Sequence, residues 1–397
     1  MISETSRPYI DASVAVLREH GLAVTTAFYR NIFAAHPELT NLFNMGNQAN
    51  GAQQQSLASA VFAYAANIGN PAALGPVVSR IVQKHVSVGI RAEHYPIVGR
   101  FLLGAIAETL GDAATAPLLA AWDEAYTSLA NLFIAEEKKQ YAAAGIEPGQ
   151  TRAMKVTEIA RQSVNAISLR LAATDGQPLP AFKPGQYLSC TVDLGGGRQQ
   201  IRQYSLSDAA SNDGLRITVK RELPGQLTPA GEVSNWIHEH VEVGSLLQVS
   251  PPFGDFAPDA DGIDPVVLLS AGVGITPMIA ALNTIARRNP QRHVIFAHAT
   301  RDIEHHAHRA DLAAAQAAMP NLQVITFYET VSGEATAKQG LMEVAQLPSW
   351  PRSETNVFLC GPLPFMRAQW LALVAAGVPV TRLHREVFGP ELLDHLL

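Results

Sequence analysis

The sequence VVLLSAGVGITP at positions 266–277 decides the fold of the second half of the chain. Its apolar residues 266–269 predict a buried strand, and Gly272 and Gly274 predict a tight turn into a helix that begins near Pro277. Glycines let the backbone approach a phosphate there, and the helix N-terminus offers free N–H groups. The pattern predicts either a turn without a ligand or a dinucleotide-phosphate site built from Gly272, Val273, Gly274, Ile275, Thr276 and Pro277.

Three further apolar runs follow at 294–297, 324–327 and 357–359, with helical stretches between them. Strands that alternate with helices predict a parallel sheet covered by helices on both faces. This context favours the phosphate site over the bare turn. The uncharged stretch 265–286 approaches the length of a membrane span, but its central glycines and proline favour a strand, a turn and a helix.

Upstream of this region the sequence predicts a small antiparallel β-barrel, because three alternating segments are separated by polar turns: 155–159, 186–192 and 216–220. The motif Arg202-Gln203-Tyr204-Ser205 is either an ordinary strand with an exposed arginine or a flavin site. In a flavin site, Arg202 binds the phosphate, Tyr204 packs on the ring system and the Ser205 hydroxyl donates toward N5. A later helix start offers backbone N–H groups to a pyrophosphate at Gly231, Val233 and Ser234.

The first 145 residues predict an all-helical domain, since apolar residues recur at i, i+3, i+4 and i+7. The stretch 146–150 interrupts the pattern and is typical of an interdomain linker. A lone helical histidine such as His85 is most often a surface or structural residue. Here it is accompanied by side chains that suit a haem, which needs an apolar slot, an axial imidazole and supporting hydrogen bonds: Phe28, Tyr29, Phe43, Gln53, Tyr95 and Glu137.

The composition narrows the class of protein. The chain has 397 residues, of which 47% are apolar and 16% charged, which indicates several globular domains. A net charge of −6 argues against nucleic acid as a partner, because phosphate binding needs a basic face. Two distant cysteines and an N-terminus without a signal peptide predict a cytoplasmic protein without disulfides or a transmembrane segment.

Two features allow more than one interpretation. Cys360 ends a predicted strand, where it either contacts a nicotinamide ring or fills apolar space. His305, His306 and His308 lie in a polar segment without carboxylate or cysteine partners at ligand spacing. We therefore expect these three histidines to be solvated and not to form a metal site.

Along nearly its full length the chain resembles the flavohaemoglobins, the bacterial and yeast nitric oxide dioxygenase family. The matching stretches follow the order of the family: 28–29, 36–39, 43–45, Gln53, 84–85, 95–99, 184–187, 201–206, 219–222, 233–235, 271–274, 360–362 and 386–390. The stretch 146–152 departs from the Gly-Gly-Trp that many relatives carry before the barrel, which concerns how the two halves dock.

The resemblance implies a globin domain at 1–145, an FAD-binding antiparallel β-barrel at 151–259 and an NAD(P)-binding α/β domain of the ferredoxin reductase type at 263–397. It implies haem b, FAD and NADH or NADPH as cofactors. The implied activity is nitric oxide dioxygenation: NAD(P)H reduces FAD, FAD reduces the haem iron, and oxygen on the haem converts nitric oxide to nitrate. The implied partners are O₂, nitric oxide and NAD(P)H, and we expect a monomer.

For the haem, the resemblance implies that His85 is the proximal iron ligand. Tyr95 and Glu137 would hydrogen-bond around it, so that the imidazole pushes electron density onto the iron. Lys84 would tune the redox coupling between haem and flavin.

On the opposite side of the haem, the resemblance implies that Tyr29 donates a hydrogen bond to iron-bound oxygen, with Gln53 nearby, and that Phe43 wedges the porphyrin. The turn 272–277 would receive the nucleotide phosphates. The FAD would be held by Tyr187, Arg202, Gln203, Tyr204, Ser205, Glu386, Val387, Phe388, Gly389 and Pro390.

Two alternative functions stay open. A ferric or quinone reductase would work through its flavin half and keep its turnover in a Tyr29→Phe variant. A globin that binds oxygen, nitric oxide or a lipid, and is kept ferrous by its reductase, would bind tightly but turn over slowly. Leu57, Ala60 and Val98 either admit a fatty acyl chain or form ordinary globin core, which we prefer.

Overall fold

An all-helical module forms the first part of the chain. The computed structural model describes residues 2–210, 214–225, 229–331 and 336–390. The helices of this module are α1 (Arg7–Ala35), α2 (Met45–Ala49), α3 (Ala52–Ala66), α4 (Pro71–Val88), α5 (His94–Leu110) and α6 (Ala116–Ala144). Apolar side chains from α1, α3, α5 and α6 form its core, including Phe28, Ile32, Phe62, Ile106 and Trp122. Leu57 and Val98 pack against this core.

An antiparallel sheet of six strands follows. Its strands are β1 (Arg152–Ser163), β2 (Ala166–Ala173), β3 (Tyr187–Gly195), β4 (Arg198–Ser205), β5 (Leu215–Lys220) and β6 (Leu246–Val249), in the order β4-β3-β6-β1-β2-β5. Helix α7 (Glu232–His240) covers the core of this sheet with Val233 and Ile237.

The barrel expectation needs correction, because the described residues do not close this sheet by a ladder between its edge strands. β4 pairs with β3 along its length, and it reaches β5 only where the chain leaves β4. There Leu206 forms an isolated bridge with Ile217, and the Ser207 N–H donates to the Arg216 carbonyl at 2.8 Å. The sheet is curled and open, not a complete barrel.

A parallel sheet with helices on both faces completes the chain, as predicted. Its strands are β7 (Val266–Ala271), β8 (Val294–Thr300), β9 (Leu322–Tyr328), β10 (Lys338–Gln339), β11 (Asn356–Cys360) and β12 (Leu383–Glu386), in the order β10-β9-β8-β7-β11-β12. Its helices are α8 (Ile275–Arg288), α9 (Arg309–Ala318) and α10 (Leu363–Ala375).

The alternation of side chains along β7 explains why this sheet is buried on both sides. Val266 and Leu268 pack into the core beneath α8 and α9. Val267 and Leu269 point to the opposite face and pack with residues of α10 such as Leu373. The uncharged stretch 265–286 is therefore strand, turn and helix, and the helix begins at Ile275, slightly before the predicted Pro277.

The boundaries of the three modules fall between these elements. α6 ends at Ala144 and β1 begins at Arg152, while β6 ends at Val249 and β7 begins at Val266. Residues 391–397 of the predicted nucleotide domain lie outside the described residues. In the part of the chain that is described, no helix has both the length and the apolarity that crossing a bilayer requires.

Candidate functional site

His85 lies near the C-terminal end of α4, and its Nδ1 is held by a buried carboxylate. Nδ1 lies 2.7 Å from Glu137 Oε1 and 3.1 Å from the Tyr95 hydroxyl, and that hydroxyl donates to the same Oε1. Because a carboxylate only accepts, Nδ1 carries the proton, and Nε2 is left with its lone pair. The structure thus brings three predicted residues into one hydrogen-bonded group, which we call the proximal triad.

Glu137 is 2% exposed on α6, so its charge is poorly screened by water. Burial and the adjacent Glu137 carboxylate raise the pKa of the Tyr95 hydroxyl, which keeps that hydroxyl protonated and donating. A buried carboxylate on Nδ1 increases the basicity of the imidazole. These features fit an axial ligand for a haem iron, with Nε2 as the donor atom.

Helix α6 positions the triad through residues that the sequence analysis did not single out. The Phe133 ring lies edge-on to His85, with 5.6 Å between ring centroids. The Tyr126 hydroxyl donates to the Tyr95 carbonyl at 2.7 Å, and a Cβ at Gly99 would lie 2.6 Å from the Tyr126 ring. Gly99 is therefore required for the close approach of α5 to α6.

Tyr29, Phe43 and Gln53 form a second group in the helical module. Tyr29 is 4% exposed, and its ring lies edge-on to Phe43 at 5.7 Å between centroids. Burial raises the pKa of Tyr29 to about 12, and a hydrogen bond with the Gln53 side chain opposes that rise. Tyr29 is thus a protonated donor in an apolar environment at neutral pH. Gln54, which the sequence analysis passed over, donates to Gln48 Oε1 in the same region at 3.0 Å.

The predicted flavin motif occupies β4, opposite Tyr187 on β3. Tyr187 pairs with Ser205 in the strand register, and both are buried. The Ser205 hydroxyl has no hydrogen-bond partner among the described residues, which fits a polar atom of a bound flavin. Burial lowers the pKa of the Arg202 guanidinium, which bonds to Gln200 Oε1 at 3.0 Å and is not an exposed strand arginine. Tyr204 packs against the core of the sheet.

Gly231, Val233 and Ser234 begin α7, as the pyrophosphate prediction requires. Val233 is buried, and the Ser234 hydroxyl accepts from the Glu222 N–H and donates to the Gly231 carbonyl, each at 3.1 Å. Their side chains therefore serve local structure, and only the backbone N–H groups of this first turn can face an anion.

The glycine turn after β7 uses its two glycines for different reasons. Gly272 has φ +54°, and a Cβ there would meet nothing within 4 Å, so its surroundings are open. A Cβ at Gly274 would lie 2.3 Å from the Cys360 carbonyl oxygen, so only glycine fits against the end of β11. The Thr276 hydroxyl donates to the Val273 carbonyl at 3.0 Å, and Ile275 and Pro277 are buried. The N-terminus of α8 is thus open to a phosphate on the Gly272 side.

The end of β12 and the segment after it bring the nucleotide domain close to Tyr187 of the flavin sheet and to α4. Burial first, and then the charge of Glu386, raise the pKa of both Tyr187 and the Cys360 thiol. Glu386 is opposite Cys360 in the strand register. Lys84 donates to the Gly389 carbonyl at 2.9 Å and to Val387 at 3.4 Å. Phe388 is half exposed, and Pro390 ends the described residues.

Helix α4 also contacts the flavin sheet through residues that the sequence analysis missed. The Ser87 hydroxyl accepts from Gln203 Nε2 at 2.7 Å, Gln83 Oε1 accepts from the Gly254 N–H at 2.9 Å, and Ser79 donates to Asp255 at 3.0 Å. The spacing 79, 83, 87 places all three on one helix face. The helix that carries His85 is therefore bonded directly to the flavin motif at Gln203.

The expectation of solvated histidines is wrong for two of the three. His306 and His308 are 4% and 0% exposed, and His305 is partly exposed. Their polar segment folds into the nucleotide domain, where His306 Nδ1 lies 2.8 Å from the Tyr328 hydroxyl and His308 Nδ1 lies 2.9 Å from Asp311. The described residues contain no group of three metal-ligating side chains, there or elsewhere.

Comparisons with known proteins match this arrangement. The model of the globin family matches residues 26–132, an oxidoreductase FAD-binding domain matches 153–257, and an oxidoreductase NAD-binding domain matches 268–370. A flavohemoprotein of Bordetella parapertussis is 44% identical over 98% of this chain and 99% of its own. One from Chromobacterium violaceum is 45% identical over 98% of both chains.

Solved structures agree. The flavohemoglobin of Malassezia yamatoensis, with bound FAD and heme, has a TM-score of 0.86 and 29% identity over 98% of this chain and 100% of its own. A flavohem-like FAD/NAD-binding domain of a Vibrio cholerae nitric oxide dioxygenase has a TM-score of 0.55 and 34% identity. It covers 60% of this chain and 99% of its own.

These modules define a globin joined to a flavin- and nicotinamide-dependent oxidoreductase. The chain belongs to the flavohaemoprotein family. The predicted combination of a haem-binding globin with FAD- and NAD-binding domains is confirmed at the level of the domains.

Proposed function

We propose that this protein is an NAD(P)H-dependent nitric oxide dioxygenase that converts nitric oxide to nitrate. The observation that carries the proposal is the double role of α4. It holds His85 in the proximal triad, and through Ser87 and Lys84 it bonds to the flavin motif and to the segment after β12. A storage globin does not require such a connection to a reductase. The name of the Vibrio cholerae relative also supports this activity.

When bound, the haem, the FAD and the nicotinamide nucleotide supply the redox chemistry that carries electrons to the iron. His85 Nε2 would ligate that iron. Glu137 accepts a hydrogen bond from the His85 Nδ1–H and so orients the ring. The Tyr29 hydroxyl would donate a hydrogen bond to the O₂ substrate, with Gln53 orienting that hydroxyl, and Phe43 would pack against the haem.

The reductase half would bind its cofactors by the groups described above. Arg202 and the N–H groups that follow Gly231 would hold the FAD phosphates, and the Ser205 hydroxyl would contact the flavin ring. The glycine turn after β7 would hold the nucleotide phosphates. Lys84 would couple the two halves by fixing α4 to Val387 and Gly389.

We further propose a monomer in the cytoplasm with O₂, nitric oxide and NAD(P)H as its small-molecule partners. The two cysteines, Cys190 and Cys360, are both buried and unpaired, which suits a reducing compartment.

The decisive experiment is a rapid-mixing assay on the holoprotein, reduced by NADH without oxygen and then mixed with oxygenated buffer and nitric oxide. We expect one nitrate per nitric oxide, with repeated cycling between oxygenated and ferric haem spectra. Tyr29→Phe should slow nitrate formation on the order of 100-fold, the scale of losing one preorganised donor.

Tyr64→Phe is the matched control, because the Tyr64 hydroxyl donates to the Ala125 carbonyl within the same helical module. It should leave nitrate formation unchanged. If the wild type formed little nitrate while ferric or quinone acceptors turned over equally fast in wild type and Tyr29→Phe, the protein would be a ferric or quinone reductase. Tight binding of nitric oxide with slow turnover would indicate a binding globin instead.

A further inference from the structure

A cluster of buried and partly buried polar side chains joins the flavin sheet to the nucleotide domain, and the family resemblance assigns none of them a cofactor role. We name it the interdomain tether. It consists of Asp208, Arg216 and Thr218 from the flavin side and Asn283, His308 and Asp311 from the nucleotide side.

Asp311 is the centre of the tether, because both of its carboxylate oxygens are used. Oδ1 accepts from Arg216 Nη2 and from Asn283 Nδ2, each at 2.8 Å, and Oδ2 lies 2.9 Å from His308 Nδ1. The side chains of Asp311 and Arg216 are 13% and 12% exposed. A carboxylate so little exposed has a defined position, since each bond is directional and water competes weakly for it.

The His308 ring is also held in a defined position, because both of its ring nitrogens are hydrogen-bonded. Its side chain is fully buried, Nδ1 donates to Asp311, and Nε2 accepts from the Thr218 hydroxyl at 2.9 Å across the domain boundary. Its backbone has φ 62°, and no other non-glycine residue in the described ranges has a positive φ. Such a conformation persists only where the surroundings determine it, and it occurs often at functional positions.

The tether connects two cofactor motifs directly. Asn283 lies on α8, the helix whose N-terminus follows the glycine turn, and its Nδ2 donates to Asp208 Oδ1 at 2.9 Å. Asp208 lies three residues after Ser205 of the flavin motif. A bond between Asp208 and Asn283 therefore sets where the nucleotide-binding helix lies relative to the flavin strand.

Stability alone explains this cluster poorly. Buried ion pairs add little net stability compared with apolar side chains of similar volume, and what they add is a fixed geometry. We propose that the tether sets the position of the nucleotide domain over the flavin, so that His308 and Asp311 are positioning residues for hydride transfer from NAD(P)H to FAD. In that transfer the hydride leaves the nicotinamide ring and bonds to the flavin ring, so NAD(P)H is oxidised and FAD reduced by the same two electrons.

This proposal rests on the reduction of FAD by NAD(P)H within the proposed function, and not on the nitric oxide chemistry. The first test is anaerobic rapid mixing of the holoprotein with NADH, comparing wild type with Asp311→Ala. We expect the limiting rate of flavin reduction to fall on the order of 10- to 100-fold, the effect of ~1 Å of misplacement. The dissociation constant for NADH should change little, because the glycine turn is intact.

Asp261→Ala is the matched control. Asp261 also pairs with an arginine of α8, Arg288, at 2.8 Å, but both side chains are more than half exposed and lie outside the tether. This variant should reduce its flavin at the wild-type rate. The rate of electron transfer from photochemically reduced flavin to haem should be unchanged in both variants, because these electrons cross the contact between the flavin sheet and α4.

A second variant and a second readout cover the case in which Asp311→Ala folds poorly. Thr218→Val keeps the shape of the side chain and removes the donor to His308 Nε2, and we expect a rate loss of roughly 3- to 10-fold, the cost of one neutral hydrogen bond. Hydrogen exchange of the protein without nucleotide should rise at 215–220 and at 305–312 together in Thr218→Val, and at neither segment in Asp261→Ala.

An unchanged limiting rate in Asp311→Ala and Thr218→Val would overturn the proposal. So would an equal loss in flavin reduction and in flavin-to-haem transfer, since that indicates general damage. If the wild-type protein were reduced by neither NADH nor NADPH, both proposals would fall, whereas failure to form nitrate would remove only the dioxygenase.

Discussion

His85 in the globin module and His308 in the nucleotide domain both have a carboxylate at Nδ1, but they differ in what lies at Nε2. Each Nδ1 lies against a carboxylate, at 2.7 Å from Glu137 and at 2.9 Å from Asp311. His85 Nε2 has no hydrogen-bond partner among the described residues, and the His85 side chain is 33% exposed. His308 Nε2 is taken by Thr218, and its side chain is fully buried.

The difference teaches that the second ring nitrogen decides what a histidine–carboxylate pair can do. With Nε2 open, the carboxylate makes the imidazole a stronger ligand. With Nε2 occupied by another domain, the same pair becomes a rigid connector. Burial lowers the pKa of His308 although the hydrogen bond to Asp311 opposes that shift, so this ring is neutral in the folded protein at neutral pH.

The largest expected effect separates the two histidines directly. His85→Ala should lower nitrate formation by more than about 100-fold, since changes in second-sphere partners alone cost about 10- to 100-fold. Its flavin should still be reduced by NADH. His308→Asn should keep the haem absorption spectrum and slow flavin reduction. Asparagine is chosen because it tolerates the left-handed backbone at this position. Absorption spectra measure the state of the haem, and rapid mixing measures the rate of flavin reduction. A disturbed haem spectrum in His308→Asn would contradict the different roles given to the two histidines.

The next effect concerns the partner of His85. Glu137→Gln removes the negative charge next to Nδ1, so we expect the haem reduction potential to rise and nitrate formation to fall about 10- to 100-fold. Glu136→Gln is the control, because Glu136 pairs with Lys139 on the outer side of α6. Spectroelectrochemistry measures the potential. Equal potentials in wild type and Glu137→Gln would mean that the carboxylate only orients the ring.

A smaller effect follows from the buried histidines of the nucleotide domain. Burial, with the charge of Arg309, lowers the pKa of His306 to about 4. Between about pH 6.5 and 4, His306 is therefore protonated in the unfolded chain but not in the folded one. This residue therefore favours folding above that window, and the benefit is lost as the pH falls through it.

His306→Gln should flatten that dependence, because glutamine does not titrate. Between pH 7 and 5 the wild type should lose about 1–2 kcal/mol more free energy of unfolding than the variant. Denaturant titrations followed by flavin fluorescence measure this difference. Parallel curves for the two proteins would show that folding leaves the pKa of His306 unchanged.

An effect of about the same size tests the packing that supports the proximal triad. Gly99→Ala should destabilise the globin module by about 1–3 kcal/mol, because the new methyl group would overlap the Tyr126 ring. Gly104→Ala lies on the same helix with nothing within 4 Å of its Cβ, and should stabilise by roughly 0.5–1 kcal/mol. Thermal unfolding followed by haem absorption compares the two. Equal shifts would mean that α5 and α6 are not in close contact.

Much of the fold could be predicted because it depends on local signals. The apolar run and glycines at 266–274 specify strand, turn and helix by composition alone, and the structure has all three. The closure of the flavin sheet could not be predicted in this way. Whether β4 pairs with β5 depends on the path of the chain after Ser205, which no alternation of residues encodes.

The site shows the same division. The sequence indicated His85 through the aromatic and polar residues that suit a haem site and through the family resemblance. The hydrogen bonds of His85 to Glu137 and Tyr95 span 52 and 10 residues of sequence. Ser87 gave no signal, since a serine near a helix end is common, and it matters because Gln203 lies against it.

The sequence by itself determined the three modules, their order and the residues able to carry the chemistry, because periodicity, glycine turns and residue types are local properties. The tertiary structure alone decided which histidine is open to a ligand and which is locked between domains. A histidine's role depends on what approaches its second nitrogen, and for His308 that group is Thr218, from a strand of another domain. The sequence HHAH at 305–308 gives no sign of that partner, since packing and not composition brings the two together.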